Sequence, residues 1–77
     1  MQYRREVIAV IKDNIKRIRK ERNISQAKLA AALNLKQVTI SYIESGRRKV
    51  KADEVKAIAS ALGVRVSSLL DNDDVSA

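Results

Sequence analysis

Apolar residues recur near the start of the chain at Ile8, Ile11, Ile15 and Ile18, spaced three, four and three apart. That spacing lines one face of an α-helix and predicts a first helix from Arg4 to Arg22. Asn23 stops it, because Asn tolerates the left-handed backbone that ends helices. Ser25 offers an N-cap oxygen to a second helix, Gln26 to Leu33, which turns Leu29, Ala30 and Leu33 inward. Asn34 takes the turn and Leu35 points back to the core. A third helix, Gln37 to Glu44, buries Ile40 and Ile43 and stops at Gly46. The run Arg47-Arg48-Lys49-Val50-Lys51 reads as an exposed basic loop. A fourth helix, Ala52 to Leu62, buries Val55, Ile58, Ala59 and Leu62, with Gly63 at its end. A short fifth, Arg65 to Leu70, closes the core with Val66, Leu69 and Leu70. The expected fold is therefore all-α, with five helices, an extended first helix and an acidic polar tail over 71–77.

Composition sharpens this picture. Seventy-seven residues make one domain with little room for a deep cleft. Tyr3 and Tyr42 are the only aromatics, so the core is aliphatic. Sixteen basic against nine acidic residues give +7, and three of the acids are Asp71, Asp73 and Asp74. The first seventy residues thus carry +10. A small domain so positive attracts polyanions, chiefly nucleic acid, although charge alone also serves solubility. Without Cys or His there is no disulfide framework, zinc finger or histidine base. The acidic run Asp71-Asn72-Asp73-Asp74 lacks the Gly and distal Glu of a calcium loop. No enzyme activity and no cofactor are expected. The longest apolar runs, Val7–Ile11 and Leu29–Leu33, are five residues each. Neither spans a membrane, and Lys12 and Asp13 end the first too early for a leader. A soluble cytoplasmic protein is expected.

The segment Ser25–Gly46, SQAKLAAALNLKQVTISYIESG, places two short helices around a tight turn. Small Ala30 permits close helix crossing, and Asn34 fits a turn that favours positive φ. With Ile40 and Ile43 held against Leu29 and Leu33, the outer face of the third helix is free to enter a major groove about 12 Å wide. These residues, with Ser25-Gln26, Thr39-Ile40-Ser41, Ile43-Glu44-Ser45-Gly46, Ile58-Ala59, Ala61-Leu62-Gly63-Val64 and Leu69-Leu70, resemble the Cro/phage-repressor, or xenobiotic-response-element, family of helix-turn-helix domains. The resemblance covers residues 12–70, leaving 1–11 as an extension of the first helix. It implies a five-helix lambda-repressor-like domain, a transcriptional regulator of repressor type, double-stranded DNA as partner and a homodimer on a near-palindromic site. It further implies base contacts from Lys36, Gln37, Val38 and Tyr42. Gln26, Thr39 and Ser41 are implied as contacts to the DNA backbone.

Side-chain chemistry supports part of this independently. The Gln37 amide matches adenine N6 and N7, and Val38 suits a thymine methyl group. Tyr42 follows Val38 by one helical turn and shares its face. Thr39 and Ser41 either donate to phosphate or bond within the helix. Arg47, Arg48 and Lys49 follow the recognition helix and should flank the DNA backbone. Lys36 stands where the family it resembles usually has a capping Ser or Thr, and DNA contact would account for a cation there. Lys51 and Arg65 likewise replace usual caps. Tyr3, Val7 and Val10 form a second apolar line that packs on the fifth helix or meets a partner. The competing reading is a protein-interaction module, an antitoxin or coactivator-like adaptor on the same fold. No small-molecule effector site is evident.

Overall fold

The computed structural model describes the backbone of residues 2–71 and the side chains of residues 10–71. Five helices follow one another: α1 Gln2–Glu21, α2 Gln26–Ala32, α3 Gln37–Ser45, α4 Ala52–Leu62 and α5 Val66–Leu70. No strand occurs among the described residues, and no helix there is long and apolar enough to cross a membrane. α1 packs across α3, α4 and α5, while α2 lies against α3 and α4. The centre is aliphatic: Ile15, Leu29, Ile40, Ile43, Ile58, Leu62 and Leu69 are each almost fully buried.

The turns follow from residues that accept positive φ. Asn23 sits at φ 58 and Asn34 at φ 57, the left-handed region open to Asn at modest cost. Asn23 lets the chain leave α1 with the Ile24 amide returning to the Arg19 carbonyl at 2.9 Å. Asn34 does the same after α2, where the Leu35 amide donates to the Ala30 carbonyl at 2.9 Å. α5 is tied back by Asn14 of α1, whose Nδ2 donates to the carbonyls of Leu69 (2.9 Å) and Asp71 (2.7 Å). One buried amide thereby satisfies carbonyls that a five-residue helix leaves open.

Helix boundaries differ slightly from the periodicity. α2 ends at Ala32 with Leu33 as its cap, α3 runs on to Ser45, and α5 begins at Val66. Leu70 does not close the core: it is 46% exposed, whereas Leu69 is fully buried. On so short a helix the residue 100° further round faces away from α1. Val50, expected in an exposed loop, packs partly against the core. The expectations for Tyr3, Val7 and Ile8 lie outside the described side chains, and those for the tail lie outside it from Asn72 on.

Leu69→Ala should cost about 2–5 kcal/mol through transfer and cavity terms. Val38→Ala, on an exposed helix face, should stay within about 0.5 kcal/mol. Urea unfolding at fixed protein concentration measures both.

Candidate nucleic-acid interface

The α2–turn–α3 unit is built on Ser25, whose Oγ accepts the Lys28 amide at 3.0 Å and starts α2. Ala30, 2% exposed, allows α2 to lie close to α3. Ile40 and Ile43, each 1% exposed, fix the inner face of α3. The outer face then presents Gln37, Val38 and Tyr42 to solvent, with Thr39 and Ser41 half-buried at its sides. Lys36 is exposed at the N-cap of α3 and supplies no side-chain cap. Among the described residues, no side-chain acceptor meets the first amides of α3.

A buried ion pair sets the position of α3. Arg19 of α1 donates from Nε to Oε2 of Glu44 at 2.7 Å and from Nη2 to Oε1 at 3.0 Å. Its Nη1 donates to the Ile24 carbonyl at 2.8 Å. Gln26 completes the cluster, its Nε2 reaching Glu44 Oε1 at 3.1 Å. Among the described residues no buried side-chain polar atom is left without a partner. Burial pushes the Glu44 carboxyl upward, but hydrogen bonds from Arg19 and Gln26 and the charges of Arg19 and Lys16 outweigh it, so its pKa is lowered. The sole acid of α3 is thus neutralised inside the fold, and the outer face carries no carboxylate.

Beyond α3, Gly46 at φ 84 reverses the chain, a conformation Gly adopts without penalty. The Arg47 amide donates back to the Tyr42 carbonyl at 2.9 Å, and the Arg47 guanidinium lies 5.7 Å from the centre of the Tyr42 ring. Arg48 is engaged differently. Its guanidinium grips Glu54 of α4 through two bonds of 3.0 and 2.8 Å. Glu54 also accepts the Lys51 amide at 3.0 Å, supplying half of a capping box from inside α4. The Arg48 hydrogen bond is the main reason that the Glu54 pKa falls from 4.5 to about 2, with the Lys51 amide and both cations adding to it against burial. Lys49 and Lys51 remain exposed.

The expected contact residues thus fall into three groups, of which Thr39 and Ser41, half-buried at the sides of α3, form one. Lys36, Gln37, Val38, Tyr42, Arg47 and Lys49 are exposed on α3 or in its flanking segments. Gln26 and Arg48 are held by carboxylates, Glu44 and Glu54. Sequence reasoning missed Arg19, Glu44, Asn14 and Glu54. Periodicity offered one signal, since Arg19 follows Ile18 beside the apolar stripe and Glu44 follows Ile43. Their pairing across 25 positions is visible only in three dimensions.

Comparison with known proteins agrees with this geometry. A helix-turn-helix family model matches residues 15–69. The control protein C.BamHI of Bacillus amyloliquefaciens is 47% identical over 49 residues, covering 64% of this chain and 60% of that protein. The immunity repressor protein of Bacillus phage phi105 is 39% identical over 56 residues, covering 73% of this chain and 39% of that protein. The matched stretch is less than two thirds of either relative's length. A solved structure, the hypothetical transcription factor NHTF from Neisseria, superposes with a TM-score of 0.83 at 27% identity, over 91% of this chain and 80% of that one.

Removing one partner of the buried pair leaves a charge stranded. Arg19→Met should therefore cost about 3–5 kcal/mol at neutral pH, and Arg19→Met/Glu44→Leu should recover most of that loss. Urea unfolding of the three chains tests this. Acid should also weaken the fold. Glu44 and Glu54 bind protons less readily folded than unfolded, so their contribution is complete above their ordinary 4.5 and is lost as pH falls through their lowered folded values, which for Glu54 is about 2. Glu54→Gln should flatten this decline, read from urea midpoints across that range.

Proposed function

Because the chain belongs to the helix-turn-helix family of Cro and phage-repressor type, we propose that it is a sequence-specific transcriptional regulator of repressor type that reads double-stranded DNA through the major groove. One observation carries the reading. The exposed face of α3 bears Gln37, Val38 and Tyr42 with no carboxylate, and cations flank it at Lys36, Arg47 and Lys49.

In this reading α3 lies in the groove. Lys36, Gln37, Val38 and Tyr42 meet base edges, and Gln37 pairs bidentately with adenine. Gln26, Thr39, Ser41, Arg48 and Lys49 meet the DNA backbone and set register without selecting sequence, and Arg47 lies beside them at the end of α3. Gln26 and Arg48 would exchange or share their present carboxylate partners on binding. Residues 12–70 form the working unit, and 1–11 lengthen its first helix. Regulators of this shape dock as two-fold dimers, so two copies would place their α3 helices in successive major grooves about 34 Å apart. The protein acts where its operator lies, in the cytoplasm, and as a binder rather than an enzyme.

Selection from a random duplex pool at near-physiological salt tests the function. A two-fold symmetric motif is expected. An absence of enrichment would instead favour the protein-interaction reading. On the selected operator, Gln37→Ala should relax preference at one base pair by about 1–3 kcal/mol. Lys49→Ala should weaken all duplexes alike and lower the log–log salt slope by ~0.9, measured by fluorescence anisotropy.

A further inference from the structure

We infer that Tyr42 and Arg47 act on DNA as one unit, in which the phenol ring holds the Arg47 guanidinium against a guanine edge, so that Arg47 selects a base. This rests on the DNA-reading role of α3 and extends it to a residue outside the helix.

The arrangement begins in the backbone. Gly46 turns the chain through the left-handed region, and the Arg47 amide returns to the Tyr42 carbonyl at 2.9 Å. Residue 47 is thereby folded over residue 42 whatever their side chains. The guanidinium then sits 5.7 Å from the ring centre, within the range of a cation–π contact. Tyr42 is 41% exposed and lies one turn beyond Val38 on the same face. Arg47 consequently continues the line that Val38 and Tyr42 begin.

Charge pairing separates Arg47 from its neighbours. Arg19 is bound to Glu44, Arg48 to Glu54 and Arg17 to Glu21. Among the described residues no carboxylate pairs with Arg47, and its one side-chain partner is an aromatic face. A guanidinium lying on a ring keeps its planar fork open along the edge. That fork matches guanine O6 and N7, the commonest specific arginine contact in the major groove. A phosphate needs no such orientation. The ring limits the rotamers that Arg47 would otherwise lose on binding, which makes Tyr42 a positioning residue for it.

The test is a double-mutant cycle on the operator selected by the wild-type chain, with duplexes in which each G·C pair is replaced in turn. Melting curves first establish that each variant is folded. Arg47→Ala is expected to lose roughly ten-fold in affinity and its discrimination at one G·C pair. Tyr42→Ala should lose discrimination at that same pair, and the double variant should be little worse than Arg47→Ala alone. Tyr42→Phe should recover most of what Tyr42→Ala loses, because the ring and not the hydroxyl is the platform. Arg47→Lys should not recover it. Losses that multiply in the double variant would overturn the inference, as would a Tyr42→Phe chain as impaired as Tyr42→Ala. So would an Arg47→Ala chain weakened equally on every duplex with a shallower salt slope, the mark of a phosphate contact. A wild-type chain that selects no operator would overturn the regulator reading itself.

Discussion

The buried pairing of Arg19 with Glu44 is the constraint on which the remaining geometry rests. It joins the end of α1, the loop at Ile24, the start of α2 through Gln26, and the last turn of α3. Aliphatic packing by Ile40 and Ile43 sets how deeply α3 is seated. Apolar contact has little directionality, however, and tolerates rotation of a nine-residue helix on its bed. A two-pronged guanidinium–carboxylate bond does not. Ile40 and Ile43 choose which residues of α3 face outward, and the pair fixes the angle at which that face is presented. Such pairs add little net stability relative to an apolar replacement, and here the gain is in orientation.

The same logic organises charge across the molecule. Glu44 is consumed inside the fold, and Glu54 is occupied by Arg48 and the start of α4. Glu21 and Asp13 pair along α1 with Arg17 and Lys12. Little acid is left near α3 to oppose an approaching phosphate backbone, while Lys36, Arg47 and Lys49 remain exposed around it. Net charge alone understates this asymmetry. The Arg48–Glu54 bridge also anchors the loop after α3, which brings Val50 against the core and leaves Arg47 beside Tyr42.

Much of the fold was legible in the sequence because its signals are local. The isoleucine stripe of α1, the Ser25 cap, the asparagines at positive φ and the two terminal glycines each follow from short-range sterics and periodicity. Leu70 turns outward against expectation because five residues are too few for periodicity to assign an inner face. The exposed face of α3 was legible through Ile40 and Ile43, which fix the complementary positions Gln37, Val38 and Tyr42. The long-range polar partners were not. Its place beside the isoleucine stripe is the one local mark of Arg19, and nothing local separates Arg48 from Arg47 until α4 is in place to supply Glu54. Lys51 and Arg65 supply no side-chain cap, yet at Lys51 the bond comes from Glu54, three residues into the helix.

The most direct test of the account is to map backbone amide shifts by NMR as the uniformly labelled chain is titrated with the duplex it selects. The largest shifts are expected at Gln37, Val38, Tyr42 and Arg47, with smaller ones at Gln26 and Lys49 and an α4–α5 face that stays near its free values apart from any dimer contact. Largest shifts on α4 and α5, with the outer face of α3 unmoved, would contradict it.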